Sequence, residues 1–220
     1  MSVTSTTTAT AAAPTFDQQV RRLLDLGLAT RAGVGVRRLR ATLAALREAA
    51  LRAEASARPG AGTLPVLLVV TSDWVSLDAA MAEAERKGRP GRVEMTPTTP
   101  VDYRTIGEVV VPEAPAYLLL DVDTGDDLRN VTPERALVLL RERGRTPLTI
   151  DEGVALLLHS PRILDERNAY SLLASRQPGS QRVPAIWTSY GAPRLGWCWD
   201  RNPHTWLGSA SASGRVGPAS

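Results

Sequence analysis

The side chains with the most chemical potential lie near the C-terminal end. Cys198 is the only cysteine of the chain, and Asp200, Asn202 and His204 follow within six positions. A thiol becomes a nucleophile when a base or cation sits beside it, so Cys198 as nucleophile, His204 as base and Asp200 or Asn202 orienting the ring would form a covalent catalyst. The competing reading is a small buried hydrophobe between Trp197 and Trp199, because free cysteine is among the most buried residue types. The same segment carries Trp187, Trp197, Trp199 and Trp206, four of the five tryptophans. Together with Tyr190, Arg194, Asn202, His204 and Arg215 they form a candidate ligand-binding set. Their rings would stack a planar or sugar ligand while Arg182, Arg194, Arg201 or Arg215 held a phosphate or carboxylate. Stacking of single-stranded bases is an alternative use, and filling a core that has Phe16 as its only phenylalanine is another. The run Gly208–Arg215 reads either as an anion-binding nest with Arg215 as its cation or as a flexible exit to the C-terminus.

A second candidate is acidic. Leu118–Leu119–Leu120 leads into Asp121, Asp123, Asp126 and Asp127. A haloacid-dehalogenase-like phosphatase places Asp-x-Asp at such a strand end, but it needs a later lysine, and Lys87 is the only lysine of the chain. Asp123–Thr124–Gly125 as half of an aspartic protease lacks a second copy. As a calcium loop it has Gly125 at the fifth rather than the sixth position and Thr132 where a glutamate belongs. A polar turn leaving a strand is the better account. His159 reads as a helix C-terminal residue meeting free carbonyls. With one cysteine and two histidines no four-ligand Cys/His zinc site can be assembled, and no metal or cofactor is expected.

The elements that must position these residues follow from periodicity and punctuation. Residues 1–15, uncharged and rich in Thr and Ala, read as a disordered tail, without the basic start and apolar block of a secretory signal. From 16 to 58 the pattern is a helical hairpin: Val20, Leu23 and Leu24 stop at Gly27, and Val36, Leu39, Leu43 and Leu46 recur at helical spacing after the Gly33–Gly35 turn. Its arginines, Arg37, Arg40 and Arg47, admit a helix-turn-helix reading with phosphate contacts, against a solvated face. Arg58–Gly62 reads as a linker. Residues 64–215 form the α+β core domain and 216–220 a second disordered tail. Within the core, Pro65–Val70, Glu108–Val111, Ala116–Val122, Val183–Tyr190 and Arg194–Trp199 read as strands. Leu77–Lys87 reads as a helix. Thr132–Pro133 opens another, closed by Gly144, and Thr149–Ile150–Asp151–Glu152 is a capping box before Val154–Leu158. A further helix is expected from Ser160–Pro161 to about Ala174. The fold class is α+β: an N-terminal helical hairpin followed by a mixed sheet with helices packed on it.

The stretches Arg145–Gly153, Val183–Trp187, Gly196–Trp199 and Asn202–Ser211 resemble a family of uncharacterised actinobacterial proteins known only as a domain of unknown function. The likeness is strongest over 145–215 and weaker over 64–144. It implies an actinobacterial cytosolic protein and carries over no catalytic residue and no cofactor.

Charge adds little about partners. The net charge is +3 with a sequence pI near 9.5, but it divides into +5 over 1–60, −6 over 61–129 and +4 over 130–220. No stretch reaches membrane-span length. The sequence therefore leads to a soluble cytoplasmic protein that binds a small molecule or a protein partner through its Trp/Arg-rich C-terminal region, and that could form a homo-oligomer. A Cys198/His204 enzyme and a nucleic-acid-binding regulator acting through the N-terminal arginine helices stand as alternatives; neither a membrane nor, in the main reading, a nucleic acid is a partner.

Overall fold

The structure, a computed structural model, describes residues 13–57, 63–164 and 169–218. The expected linker 58–62, residues 1–12 of the expected N-terminal tail and residues 219–220 of the expected C-terminal one lie outside the described residues, while Val216, placed in that second tail, ends a strand. The N-terminal helices are α1 (Phe16–Leu26), the single turn α2 (Leu28–Arg31) and α3 (Val36–Ser56). Thr15 caps α1 reciprocally with Gln18, and Gly27 ends it in the left-handed region at φ 62°. Leu39, Leu43 and Leu46 of α3 are buried as their spacing requires.

Next comes β1 (Thr63–Val70), buried at every position from Val66 to Val69. A continuous apolar run is what a strand covered on both faces needs; α1, α3 and a later helix all pack on it. One long edge of β1 pairs with another strand, and the other meets Gln19 of α1. The Gln19 amide donates to the Val66 carbonyl at 2.9 Å and accepts from the Leu68 N–H at 2.8 Å. One buried side chain thus continues the hydrogen-bond ladder and closes the sheet edge.

Along the chain follow α4 (Leu77–Glu83), β2 (Arg92–Val93), β3 (Arg104–Thr105), β4 (Ala116–Asp123), α5 (Pro133–Glu142), β5 (Thr146–Pro147) and α6 (Ile150–His159). Then come β6 (Ala169–Ser171), β7 (Ser175–Arg176), β8 (Arg182–Ser189), β9 (Ala192–Trp199), β10 (Leu207–Ser209), β11 (Ser211–Ala212) and β12 (Gly214–Val216). One sheet has the order β1-β4-β11-β5 with β12 also on β4, a second the order β10-β6-β8-β9-β2, and β3 pairs with β7. The second sheet is mixed: β10–β6 and β9–β2 are parallel, while β6–β8 and β8–β9 are antiparallel. The chain is therefore α+β, helices first and then mixed sheets with helices packed on them.

Three expected elements come out differently. The helix from Leu77 stops at Glu83 because Lys87 and Gly88, both at positive φ, form a tight turn between Arg86 and Arg89. Among the described residues Glu108–Val111 pairs with no strand: Val109 closes a turn onto Ile106, and Val110 is 83% exposed. After Ser160 a 3-10 turn (Pro161–Leu164) replaces the expected helix, and Ala169–Ser171 is recruited as β6 because β8 and β10 flank it. Elsewhere local signals hold. Thr132 caps α5, Gly144 turns at φ 65°, and Thr149 and Glu152 form the reciprocal box that opens α6.

The C-terminal run is neither a nest nor a loose exit. Gly208–Val216 crosses from the second sheet to the first as β10, β11 and β12, and 207–212 is buried throughout. Small residues are needed because the crossing passes over the Thr124–Gly125 turn: a Cβ on Gly208 would overlap backbone carbonyls there, and one on Gly125 would overlap Ser209. The four aspartates around that turn serve the fold. Asp123 accepts from the Gly125 N–H, while Asp121, Asp126 and Asp127 pair with Arg145, Arg129 and Arg143.

Candidate functional site

A cleft of about 370 Å³ opens where the end of β1, the start of α6 and the β3–β7 ribbon converge. Antiparallel pairing of Thr105 with Ser175, and a bond from the Ile106 N–H to the Ala174 carbonyl, hold the ribbon under the first turn of α6. Ser72, one residue beyond the Thr71 that closes β1 onto the Pro115 carbonyl, forms another wall. Tyr103 and Val111 supply apolar surface, and Arg104 and Thr105 stand exposed on the ribbon. Tyr103 is held from behind, its hydroxyl 3.1 Å from that of Thr98. Burial raises its phenol above the ordinary tyrosine range, so it stays protonated near neutral pH.

The polar centre of the cleft is Asp151. The Ser72 N–H and hydroxyl donate to its two carboxylate oxygens at 3.2 and 3.3 Å. Burial holds its carboxyl above the usual carboxylate range, opposed by those two bonds. Among the described residues no lysine, arginine or histidine pairs with it. Arg104 likewise has no carboxylate partner there; it donates only to the carbonyls of Val101 and Tyr103. Ser175 accepts from the Ile150 N–H at 3.0 Å, so its own hydroxyl proton is left for a further acceptor.

Directly behind the cleft lies a buried ion pair. Glu152 and Arg215 have side chains 0% and 5% exposed, joined by two bonds of 2.6 and 2.8 Å. Arg215 also donates to Thr146 Oγ1 and the Pro147 carbonyl, and Glu152 accepts from the Tyr117 hydroxyl and the Thr149 N–H. Burial, and then the adjacent Glu152, pushes the Tyr117 phenol far above its ordinary range, which keeps it a donor. The network ties β12 to the first turn of α6, beside Asp151. Arg215, a candidate anion ligand by sequence, is fully engaged inside the fold.

The remaining sequence candidates are divided by the second sheet. Trp197 and Trp199 lie on one face with rings 4.9 Å apart, and the Arg182 guanidinium stacks over both at 4.7 and 5.3 Å. Trp187, Gly196 and Cys198 face the other way: Trp187 lies 6.3 Å from Trp206, which lies 5.1 Å from His204, and Arg194 covers Trp187 at 5.2 Å. Gly196 is needed there because a Cβ would overlap the Trp187 ring. Tyr190, at φ 50°, forms the exposed tip of the β8–β9 hairpin, and Asn202 is exposed in the turn after β9. None of the candidate ligand-binding residues lines the cleft.

Cys198 packs with Leu128, Ala136, Leu140 and Val183, and burial pushes its thiol up to about 12. Asp200, its expected helper, pairs with Arg176 at 2.7 Å. His204 lies against Trp206, and loss of solvation lowers its pKa. This environment disfavours a thiolate instead of creating one. Ser72, Tyr103, Arg104 and Ser175, which line the cleft, are linked by no sequence motif. Asp151 was visible only as the residue inside a capping box.

Among the described residues no group of three or more His, Cys, Asp and Glu is placed to hold a metal ion, and no helix is long and apolar enough to cross a membrane. Residues 22–218 match the model of a family of unknown function, DUF5701, and the chain belongs to that family. No curated protein and no solved structure matches the chain.

Proposed function

Starting from membership of a family without an assigned activity, we propose that this protein binds a small polar molecule in the cleft at the start of α6. The observation that carries the reading is the convergence of an unpaired carboxylate, an unpaired guanidinium and the Ser175 hydroxyl on one open cavity of about 370 Å³. Sites for small ligands occupy roughly 300–1,000 Å³ and combine apolar walls with a few convergent polar groups. The tryptophan segment supports binding less well, because its rings lie on two faces of a sheet and Trp187, Trp197 and Trp199 are already stacked by the protein's own arginines. The family resemblance and the single cysteine favour the cytosol of an actinobacterium as the setting.

Saturation-transfer NMR with a mixture of amino acids, nucleosides, sugars and dicarboxylates tests the reading. One class gives signals with the wild-type protein, and Thr105→Trp, which fills the cleft from the exposed ribbon, abolishes them. No signal from any class, or equal signals from the filled variant, refutes it.

A further inference from the structure

The charges lining the cleft define what would complete them. Asp151 is half-buried, and only two donors, both from Ser72, satisfy a carboxylate able to accept about four bonds. A carboxylate withdrawn from water without a cation is costly, and the cost is offset when an ammonium or guanidinium arrives. The neighbouring charges do not provide one: Asp73 and Glu152 both act on Asp151 with the same sign as its own, and Arg215 is committed to Glu152. On the ribbon, Arg104 uses its Nη1 on two carbonyls, leaving its other guanidinium N–H groups to face solvent or an anion. Tyr103, Val111 and Ile150 add apolar surface to the same cleft.

The geometry points to a small zwitterion, an α-amino acid or a dipeptide, with its ammonium on Asp151 and Ser72 and its carboxylate on Arg104 and Ser175. This rests on the ligand-binding reading above and narrows it to one chemical class. An ammonium supplies three donors to a carboxylate that has acceptor capacity to spare. The carboxylate, an acceptor only, meets a guanidinium fork and a free hydroxyl proton. A neutral sugar would leave both charges uncompensated, and a dicarboxylate would bring a like charge against Asp151.

The test titrates the twenty free α-amino acids and a set of glycine-containing dipeptides against the full chain by calorimetry. The best binder is then measured as its N-acetyl and its carboxamide derivatives. N-acetylation and amidation each weaken binding tenfold or more. Asp151→Asn weakens the parent ligand similarly but adds nothing to the loss from N-acetylation, and Arg104→Gln behaves the same way toward the carboxamide. Arg104 is exposed, so its variant folds even if Asp151→Asn does not; cooperative thermal melts check both. Preference for dipeptides over single amino acids places the two charges further apart and still supports the inference. If a sugar, nucleoside or dicarboxylate is the ligand displaced by the filled cleft while no zwitterion binds, the inference fails and the ligand-binding reading stands. Binding of a zwitterion that neither variant weakens also overturns it, and no binding in the cleft of any compound overturns both.

Discussion

Replacing Arg215 by methionine asks how much of the fold depends on the buried pair. The guanidinium makes four bonds: 2.6 and 2.8 Å to the two Glu152 oxygens, 2.6 Å to Thr146 Oγ1 and 2.8 Å to the Pro147 carbonyl. With Glu152 fully buried, water cannot take the place of the lost cation. Methionine fills much of the volume but strands a carboxylate that keeps only the Tyr117 hydroxyl and the Thr149 N–H. Breaking a buried pair from one side costs about 3–5 kcal/mol, a large part of the roughly 5–15 kcal/mol that holds a domain together. In a chain of this size that lowers the melting temperature by roughly 6–20 °C. Urea denaturation followed by far-UV circular dichroism measures it, with the midpoint shifted and the slope unchanged. The double variant Arg215→Met/Glu152→Gln recovers at least half of the loss, because glutamine still accepts from Thr149 and no bare charge remains. A single variant within about 1 kcal/mol of wild type, the range of exposed pairs, would refute the burial argument. A double variant no better than the single would show that lost packing, not a stranded charge, is the cause.

Gln19→Leu opens the edge of β1, stranding the Val66 carbonyl and the Leu68 N–H at roughly 1–3 kcal/mol for each group; amide exchange at Leu68 accelerates, and unchanged protection there rules out the ladder role. Cys198 does not react with thiol reagents in folded protein near neutral pH and reacts once urea unfolds it; rapid labelling of native protein would revive the Cys198/His204 catalyst. His159 is buried, and desolvation followed by the nearby Arg22 lowers its pKa to about 3 from 6.5. The unfolded chain therefore binds the proton first, and stability present above pH 6.5 is lost as pH falls toward 3. Stability profiles of wild type and His159→Leu between pH 7 and 4 compare this directly: the variant loses less stability over that window, and parallel profiles would contradict the assignment.

What could be read from the residues alone was local. The capping pairs Thr132–Pro133 and Thr149–Glu152 and the Gly27 stop depend on neighbours within a few positions and form as written, and β1, β8 and β9 lie within a residue or two of where composition put strands. Alternation along β9 likewise put Trp197 and Trp199 on one face and Cys198 on the other. Pairing between distant segments was not legible. Glu108–Val111 has a strand's composition but pairs with no strand among the described residues, and Ala169–Ser171 becomes a strand because its neighbours demand it. The Gly-Ser-Ala run looked like low complexity because small side chains carry no periodic signal, yet smallness is what lets the chain cross between two sheets. Electrostatics shows the same division. The sequence offered Arg215 as the cation for a bound anion and nothing in it pointed to burial against Glu152, and nothing distinguished Asp151 from an ordinary first-turn acid. Burial made one a committed partner of Glu152 and left the other without a cation at the edge of a cleft, because solvation and partnership are properties of the space around a charge and that space is assembled only when the chain folds.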